Sequence, residues 1–97
     1  MKTLRWGVVG TGGIANSMAR MIKMADHSEL AAVSSRRMET AQEFANDHDV
    51  PSAFDSWQEM CASDTVDAIY VATPTSVREE ICLAAANNGK HVLGEKP

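Results

Sequence analysis

The stretch LRWGVVGTGGIA, residues 4–15, decides how the chain reads. Leu4 to Val9 is a β-rich run ended by Gly10, and Gly12 and Gly13 follow at once. Ile14, Met18, Met21 and Ile22 then recur at helical spacing, which predicts a strand feeding directly into a helix. Gly10-Thr11-Gly12-Gly13-Ile14-Ala15 fits the pattern G-x-G-x-x-G/A, with Ala15 in the third position. That pattern alone is a weak signal, but between a strand and a helix it has a mechanism. The first glycine permits a tight turn, the second lets the backbone approach a pyrophosphate, and a small third residue lets helix and strand pack closely. The helix N-terminus then offers free N–H groups to phosphates. Thr11 and Ile14 are expected to pack against a dinucleotide or the neighbouring loops. The alternative is a glycine turn that does no more than close a strand–helix unit.

Beyond this unit the same rhythm continues. Glu29 to Ser34 reads as a second strand, and Met38, Ala41, Phe44, Ala45 and His48 form the stripe of a second helix that Val50-Pro51 ends. Ser52 to Phe54 is a short third strand, after which Asp55 is expected to cap a brief helix carrying Trp57, Met60 and Cys61. Val66 to Ala72 is nearly all apolar, as strands buried on both faces are. Thr73-Pro74-Thr75 turns the chain, and Ser76 with Glu79 has capping-box spacing. Val77, Ile81, Ala84 and Ala85 supply the next buried face, Asn87-Asn88-Gly89 stops that helix, and Lys90 to Leu93 is a fifth strand. Strands and helices in alternation predict a Rossmann-type α/β fold, a doubly wound parallel sheet in three layers.

Composition narrows the function classes. The 97 residues suffice for one compact domain, and 44% hydrophobic with 23% charged residues is ordinary for a globular chain. A net charge of -4, with Arg36-Arg37 as the only adjacent basic pair, argues against a nucleic-acid partner. Cys61 and Cys82 both fall within apolar helical patterns and read as reduced packing thiols. No CxxC or Cys/His cluster suggests a metal site. Met1-Lys2-Thr3 leads straight into the first strand, with neither a signal peptide nor a membrane span in view, so the chain reads as cytoplasmic.

The end of the second strand bears on the choice between NAD and NADP. A carboxylate there bonds the ribose 2′-hydroxyl of NAD, whereas an arginine accommodates a 2′-phosphate. This chain has Ser34-Ser35-Arg36-Arg37 and no acid until Glu39. Serine hydroxyls donate to phosphate and a guanidinium pairs with it bidentately. NADP is therefore expected over NAD, with Arg36 the principal partner and Ser35 beside it. The alternative is a solvated loop carrying two surface arginines.

Three stretches, WGVVGTGGIA, DAIYVATPTSVREE and GKHVLGEKP, resemble the glucose–fructose oxidoreductase, inositol dehydrogenase and MocA group of NAD(P)-dependent oxidoreductases. The resemblance runs from end to end, and the terminal E-K-P is its most specific part. It implies a cofactor domain over residues 1–97, followed in the family by a larger α/β substrate domain that this chain does not contain. The implied reaction is hydride transfer between NADP(H) and a hydroxyl-bearing carbon of a sugar or polyol, and the implied assembly a homo-oligomer. The loop after the fourth strand usually reads T-P-N-x-x-H and lies along the cofactor. Here it reads Ala72-Thr73-Pro74-Thr75-Ser76-Val77-Arg78, with Thr75 in place of asparagine and Arg78 in place of histidine. In E-K-P the lysine reaches the substrate hydroxyl, which makes Lys96 the catalytic candidate, with Glu95 and Pro97 beside it at the cofactor.

The family's second catalytic group, a histidine of a D-x-x-x-H motif in the substrate domain, has no counterpart in this sequence. His27, His48 and His91 are expected in a loop, a helix end and a strand start, away from the cleft. Two readings follow: the cofactor domain of an oxidoreductase, inactive by itself and ending within a larger enzyme, or a non-catalytic dinucleotide-binding sensor.

Overall fold

In the computed structural model, residues 3–73 and 75–94 are described; for Thr75, Ser76 and Gly94 this extends to the backbone only. Elements run in the order β1 (Leu4–Val9), α1 (Gly13–Met24), β2 (Ser28–Ser34), α2 (Met38–His48), β3 (Ser52–Phe54), α3 (Trp57–Cys61), β4 (Ala68–Val71), α4 (Thr75–Asn87) and β5 (His91–Gly94). All five strands pair in parallel in the order β3-β2-β1-β4-β5. This is the Rossmann arrangement. The chain leaves β1 toward β2 on one side and returns to β4 on the other, so the strand order reverses beside β1.

Period-two alternation divides the core into two layers. Val8, Leu30, Val33 and Tyr70 face α1 and α2, where they meet Ala15, Ala19, Ile22, Phe44 and Ala45. Val9, Ile69 and Val71 face α3 and α4, against Met60, Cys61, Ile81 and Ala85. Strand β2 breaks the alternation, because Ala31 and Ala32 both pack on the α3/α4 side. The cause is a register shift opposite Trp6 and Gly7: Trp6 pairs with Leu30, but Gly7 pairs with Ala32. One extra residue on β2 restores Val33 to the α1/α2 face and leaves the strand end in step with β1.

Several elements differ in detail from the sequence reading. The buried stripe of α1 is Ala15, Ala19 and Ile22, with Met18 partly buried, whereas Ile14 and Met21 are exposed. Small alanines let α1 lie close to the sheet, and the larger side chains turn outward. In α2 the stripe is Ala41, Phe44, Ala45 and His48, with Met38 exposed. The cap of α3 is Ser56, whose hydroxyl accepts from the Glu59 amide at 3.3 Å, one residue beyond Asp55. Helix α4 begins at Thr75, so Ser76 lies in its first turn, and Val77 is exposed while Ile81 and Ala85 are buried.

Polar ties hold the other end of the sheet. Arg5 forms a bidentate pair with Asp67 at 3.0 Å through both Nε and Nη2, and its backbone N–H donates to the same carboxylate. The hydrogen bonds to Asp67 raise the Arg5 pKa. Lys90 Nζ donates to the Ser63 and Val66 carbonyls, both at 2.7 Å. Lys23 Nζ likewise donates to the His48 carbonyl at the end of α2, at 2.6 Å. Cys61 and Cys82 are free thiols, and burial pushes the Cys61 thiol up, so it packs as a neutral group. No described helix is long and apolar enough to cross a membrane.

The observed stripe of α1 is testable. Ala19→Leu should lower stability by about 1–3 kcal/mol through overpacking. Met21→Ala, on the exposed side, should change it by less than about 0.5 kcal/mol. Urea unfolding curves with matched slopes measure both.

Candidate functional site

Register brings the strand ends level at one edge of the sheet. Val9 pairs with both Ser34 and Val71, and Ser34 pairs with Phe54. The chain therefore leaves β1, β2, β3 and β4 at the same height, beside the point where the strand order reverses. In open parallel sheets, ligands bind outside the carboxyl ends at such a switch point. A cavity of about 610 Å³ lies there. Gly10, Thr11 and Gly12 line it from the first turn, Ser34, Ser35 and Arg36 from the second, and Ala72 and Thr73 from the fourth.

The two kinds of glycine in the turn serve different ends. Gly10 has φ +112, and a Cβ there would stand 2.9 Å from the Ala72 carbonyl oxygen. Its own N–H donates to Ser34 O at 2.9 Å, while the Ala72 N–H donates to Val9 O at 3.0 Å. Gly10 is thus fixed by the protein's own backbone. At Gly12 and Gly13, by contrast, a Cβ would meet nothing within 4 Å. The space above them is open, as an incoming phosphate group requires.

Helix α1 starts without help. Gly12 is its N-cap, no side chain caps it, and no acid occupies its first turn. Its leading N–H groups and the positive end of its dipole are left for an anion. Two hydroxyls at the cavity wall are also uncommitted: Ser34 Oγ and Thr73 Oγ1 are buried with no hydrogen-bond partner among the described residues. A buried unpaired hydroxyl costs about 1–3 kcal/mol. An open glycine cradle, an uncapped helix and two unpartnered hydroxyls fit a phosphate-bearing ligand with ribose groups.

The arginines part company. Arg36 lines the cavity, whereas Arg37 lies outside its lining and pairs with Glu39 at 3.3 Å. Gly13 and Ile14 are not lining residues either, and Ile14 is 54% exposed. Arg78 is half-buried, with Nε lacking a partner among the described residues. Pro74, Glu95, Lys96 and Pro97 lie outside the described residues, as does the side chain of Thr75.

Residues that the sequence reading did not connect with the site complete its wall. Asp55, Ser56, Trp57 and Gln58 enter from the start of α3, and Val77 and Ile81 from α4. Val77 carries the signal that marks this groove: it is an apolar residue on a core-facing helix stripe, yet it remains exposed. His48 lies on the stripe of α2 as expected, but it makes a contact the sequence did not show. It is buried at the end of α2, with Nε2 2.6 Å from Asn16 Oδ1 in the first turn of α1, directly behind the glycine turn. A second cleft of about 350 Å³ opens at the opposite edge, but Asp67 and Lys90 in its wall are already engaged in internal bonds. No metal-binding cluster of His, Cys, Asp or Glu occurs among the described residues.

A family described as "Oxidoreductase family, NAD-binding Rossmann fold", comprising the glucose–fructose oxidoreductase, inositol dehydrogenase and MocA group, matches residues 4–97. This chain belongs to that family. Among relatives of this oxidoreductase family, scyllo-inositol 2-dehydrogenase (NADP(+)) IolU of Bacillus subtilis is 40% identical over 94 residues, covering 97% of this chain and 29% of its own. Scyllo-inositol dehydrogenase from Lactobacillus casei, solved with bound NAD(H) and scyllo-inositol, superposes with a TM-score of 0.91 at 28% identity. That match covers 99% of this chain and 28% of the dehydrogenase. KijD10, a 3-ketoreductase from Actinomadura kijaniata solved with NADP and TDP-benzene, superposes with a TM-score of 0.93 at 31% identity. It covers 99% of this chain and 30% of its own. The chain thus spans under a third of the length of these relatives, and corresponds to their NAD(P)-binding part.

The division among the glycines predicts distinct effects. Gly10→Ala should cost about 2–4 kcal/mol of stability, because both the backbone conformation and the Ala72 carbonyl oppose a Cβ. Gly12→Ala should cost at most about 1 kcal/mol, the difference between glycine and alanine at a helix N-cap. Chemical denaturation of the two variants compares them directly.

Proposed function

We propose that the chain is the NADP-binding domain of an oxidoreductase that moves a hydride between NADP(H) and a hydroxyl-bearing carbon of a sugar or polyol. Family membership supports the reaction class. The observation that carries the cofactor preference is the second strand's end, where Ser35 and Arg36 line the cavity and no carboxylate follows until Glu39. A carboxylate at that turn would repel a 2′-phosphate, whereas a guanidinium pairs with it. The relatives' names include both NADP(+) and NAD(H), so the preference rests on these residues of this chain.

In this reading Gly10, Thr11, Gly12, Gly13 and Ile14 receive the pyrophosphate at the start of α1. Ser34, Ser35, Arg36 and Arg37 form the adenosine-ribose side, with Arg36 the direct phosphate partner. Ala72, Thr73, Pro74 and Thr75 flank the nicotinamide half, and Glu95, Lys96 and Pro97 complete it. When bound, the nicotinamide accepts or returns the hydride. Lys96 polarises the substrate hydroxyl and assists its proton, work suited to an ammonium. The substrate is a cyclitol or sugar-like polyol, bound largely by residues outside this chain, in a homo-oligomer. Free Cys61 and Cys82 are consistent with a cytoplasmic setting.

Two tests apply. Arg36→Ala should weaken NADPH binding about 10- to 100-fold, the loss of one to two charge-assisted hydrogen bonds, with NADH nearly unaffected. Arg37→Ala should weaken NADPH binding much less than Arg36→Ala, because Arg37 already pairs with Glu39. Equal NADPH and NADH affinities in the unaltered protein, measured by fluorescence titration, would refute the preference. In the full-length enzyme, Lys96→Ala should lower kcat at least about 100-fold while NADPH still binds. Tight cofactor binding without turnover of any polyol in the unaltered enzyme would favour a non-catalytic sensor instead.

A further inference from the structure

Behind the glycine turn a buried histidine and a partly buried asparagine form a polar pair outside the lining of the cofactor cavity. Asn16 Nδ2 donates to Gly12 O at 2.9 Å and reaches Thr11 O at 3.4 Å. Its Oδ1 lies 2.6 Å from His48 Nε2. An amide oxygen only accepts, so Nε2 carries the proton and donates. The reverse orientation of the amide would set Oδ1 against two carbonyl oxygens, which fixes the assignment. The His48 ring is itself held: it packs on Phe44 with ring centroids 4.5 Å apart, and its backbone carbonyl accepts from Lys23 at 2.6 Å. His48 is only 9% exposed.

We propose that Asn16 and His48 are positioning residues for cofactor binding, rigidifying the glycine turn from behind. The proposal rests on the cofactor reading above and adds a role for two residues outside the cavity lining. In a planar trans peptide the C=O and the N–H of the following residue point in opposite directions. Holding the Thr11 and Gly12 carbonyls toward Asn16 therefore turns the Gly12 and Gly13 N–H groups the other way, to the open side of the turn. These are the donors a pyrophosphate meets. His48 keeps the Asn16 amide in the one orientation that does this, so donors face the phosphates before any ligand arrives. Preorganisation of this kind raises affinity by lowering the ordering cost of binding. It acts on the part common to NADPH and NADH, whereas Arg36 acts on the 2′ position alone.

The test compares four variants of the full-length protein by fluorescence titration with NADPH and with NADH, alongside their unfolding midpoints. Asn16→Asp retains a partner for His48 but cannot donate to Gly12 O. It should weaken both cofactors by a similar factor, about 5- to 30-fold, leaving their ratio unchanged. His48→Leu keeps the apolar packing but frees the amide, and should weaken both about 3- to 10-fold. His48→Gln, whose amide N–H can donate to Asn16, should recover most of that loss. Asn16→Ala should resemble Asn16→Asp. Unchanged affinities in Asn16→Asp, a shift in the NADPH/NADH ratio, or His48→Gln as impaired as His48→Leu would each overturn the proposal while leaving the cofactor reading intact. Failure of the unaltered protein to bind either nucleotide would overturn both.

Discussion

The close approach of Gly10 to Ala72 is the constraint around which the carboxyl edge of the sheet is arranged. A side chain at residue 10 would collide with the Ala72 carbonyl, and the backbone there takes a positive φ of +112. That crossing lets β1 end between its two neighbours, with Gly10 bonded to Ser34 on one side and Val9 to Ala72 on the other. Because Val9, Ser34 and Val71 are in step, the loops that follow them open around a common space. The extra residue of β2 near Ala31 belongs to the same requirement, since without it Ser34 would stand one residue out of register with Val9.

The site has been left short of what stability alone would favour. Helix α1 has neither cap nor acidic first turn, and two hydroxyls are buried without partners among the described residues. Each is a local cost, and all border the same cavity. Where strain and unpaired polar groups converge on one concavity, a ligand supplies the missing partners. Away from that edge the polar groups are paired: Arg5 and Asp67 meet through two nitrogens, and Lys90 gives protons to two carbonyls.

Much of this is legible in the sequence, for physical reasons that also mark the limits. Strand β1 and helix α2 are readable to the residue because glycine and proline punctuate their ends, and VDAIYVA announces a doubly buried strand. The stripe of α1 misleads because large apolar side chains suggest burial. In a helix packed tightly on a sheet the small residues go inside, so Ala15 and Ala19 outrank Ile14 and Met21. The contribution of α3 to the cavity is invisible, since a helix five residues long has no periodicity to reveal which side faces a ligand. His48 is hidden by distance in the chain: 32 residues separate it from the asparagine it bonds.

The two lysines within the described residues are both spent on backbone. Lys23 closes the end of α2 through the His48 carbonyl, and Lys90 gathers the carbonyls of Ser63 and Val66. Each serves as a cross-element clasp, so among the described residues the cation at the cavity wall is a guanidinium, that of Arg36. The consequence is chemical selectivity among amines. A nitrogen that already gives its protons to carbonyls is a poor nucleophile toward an acylating or aldehyde reagent, and modifying it would unfasten a helix end. Both lysines should therefore label slowly, and slow labelling would report that the two clasps are closed.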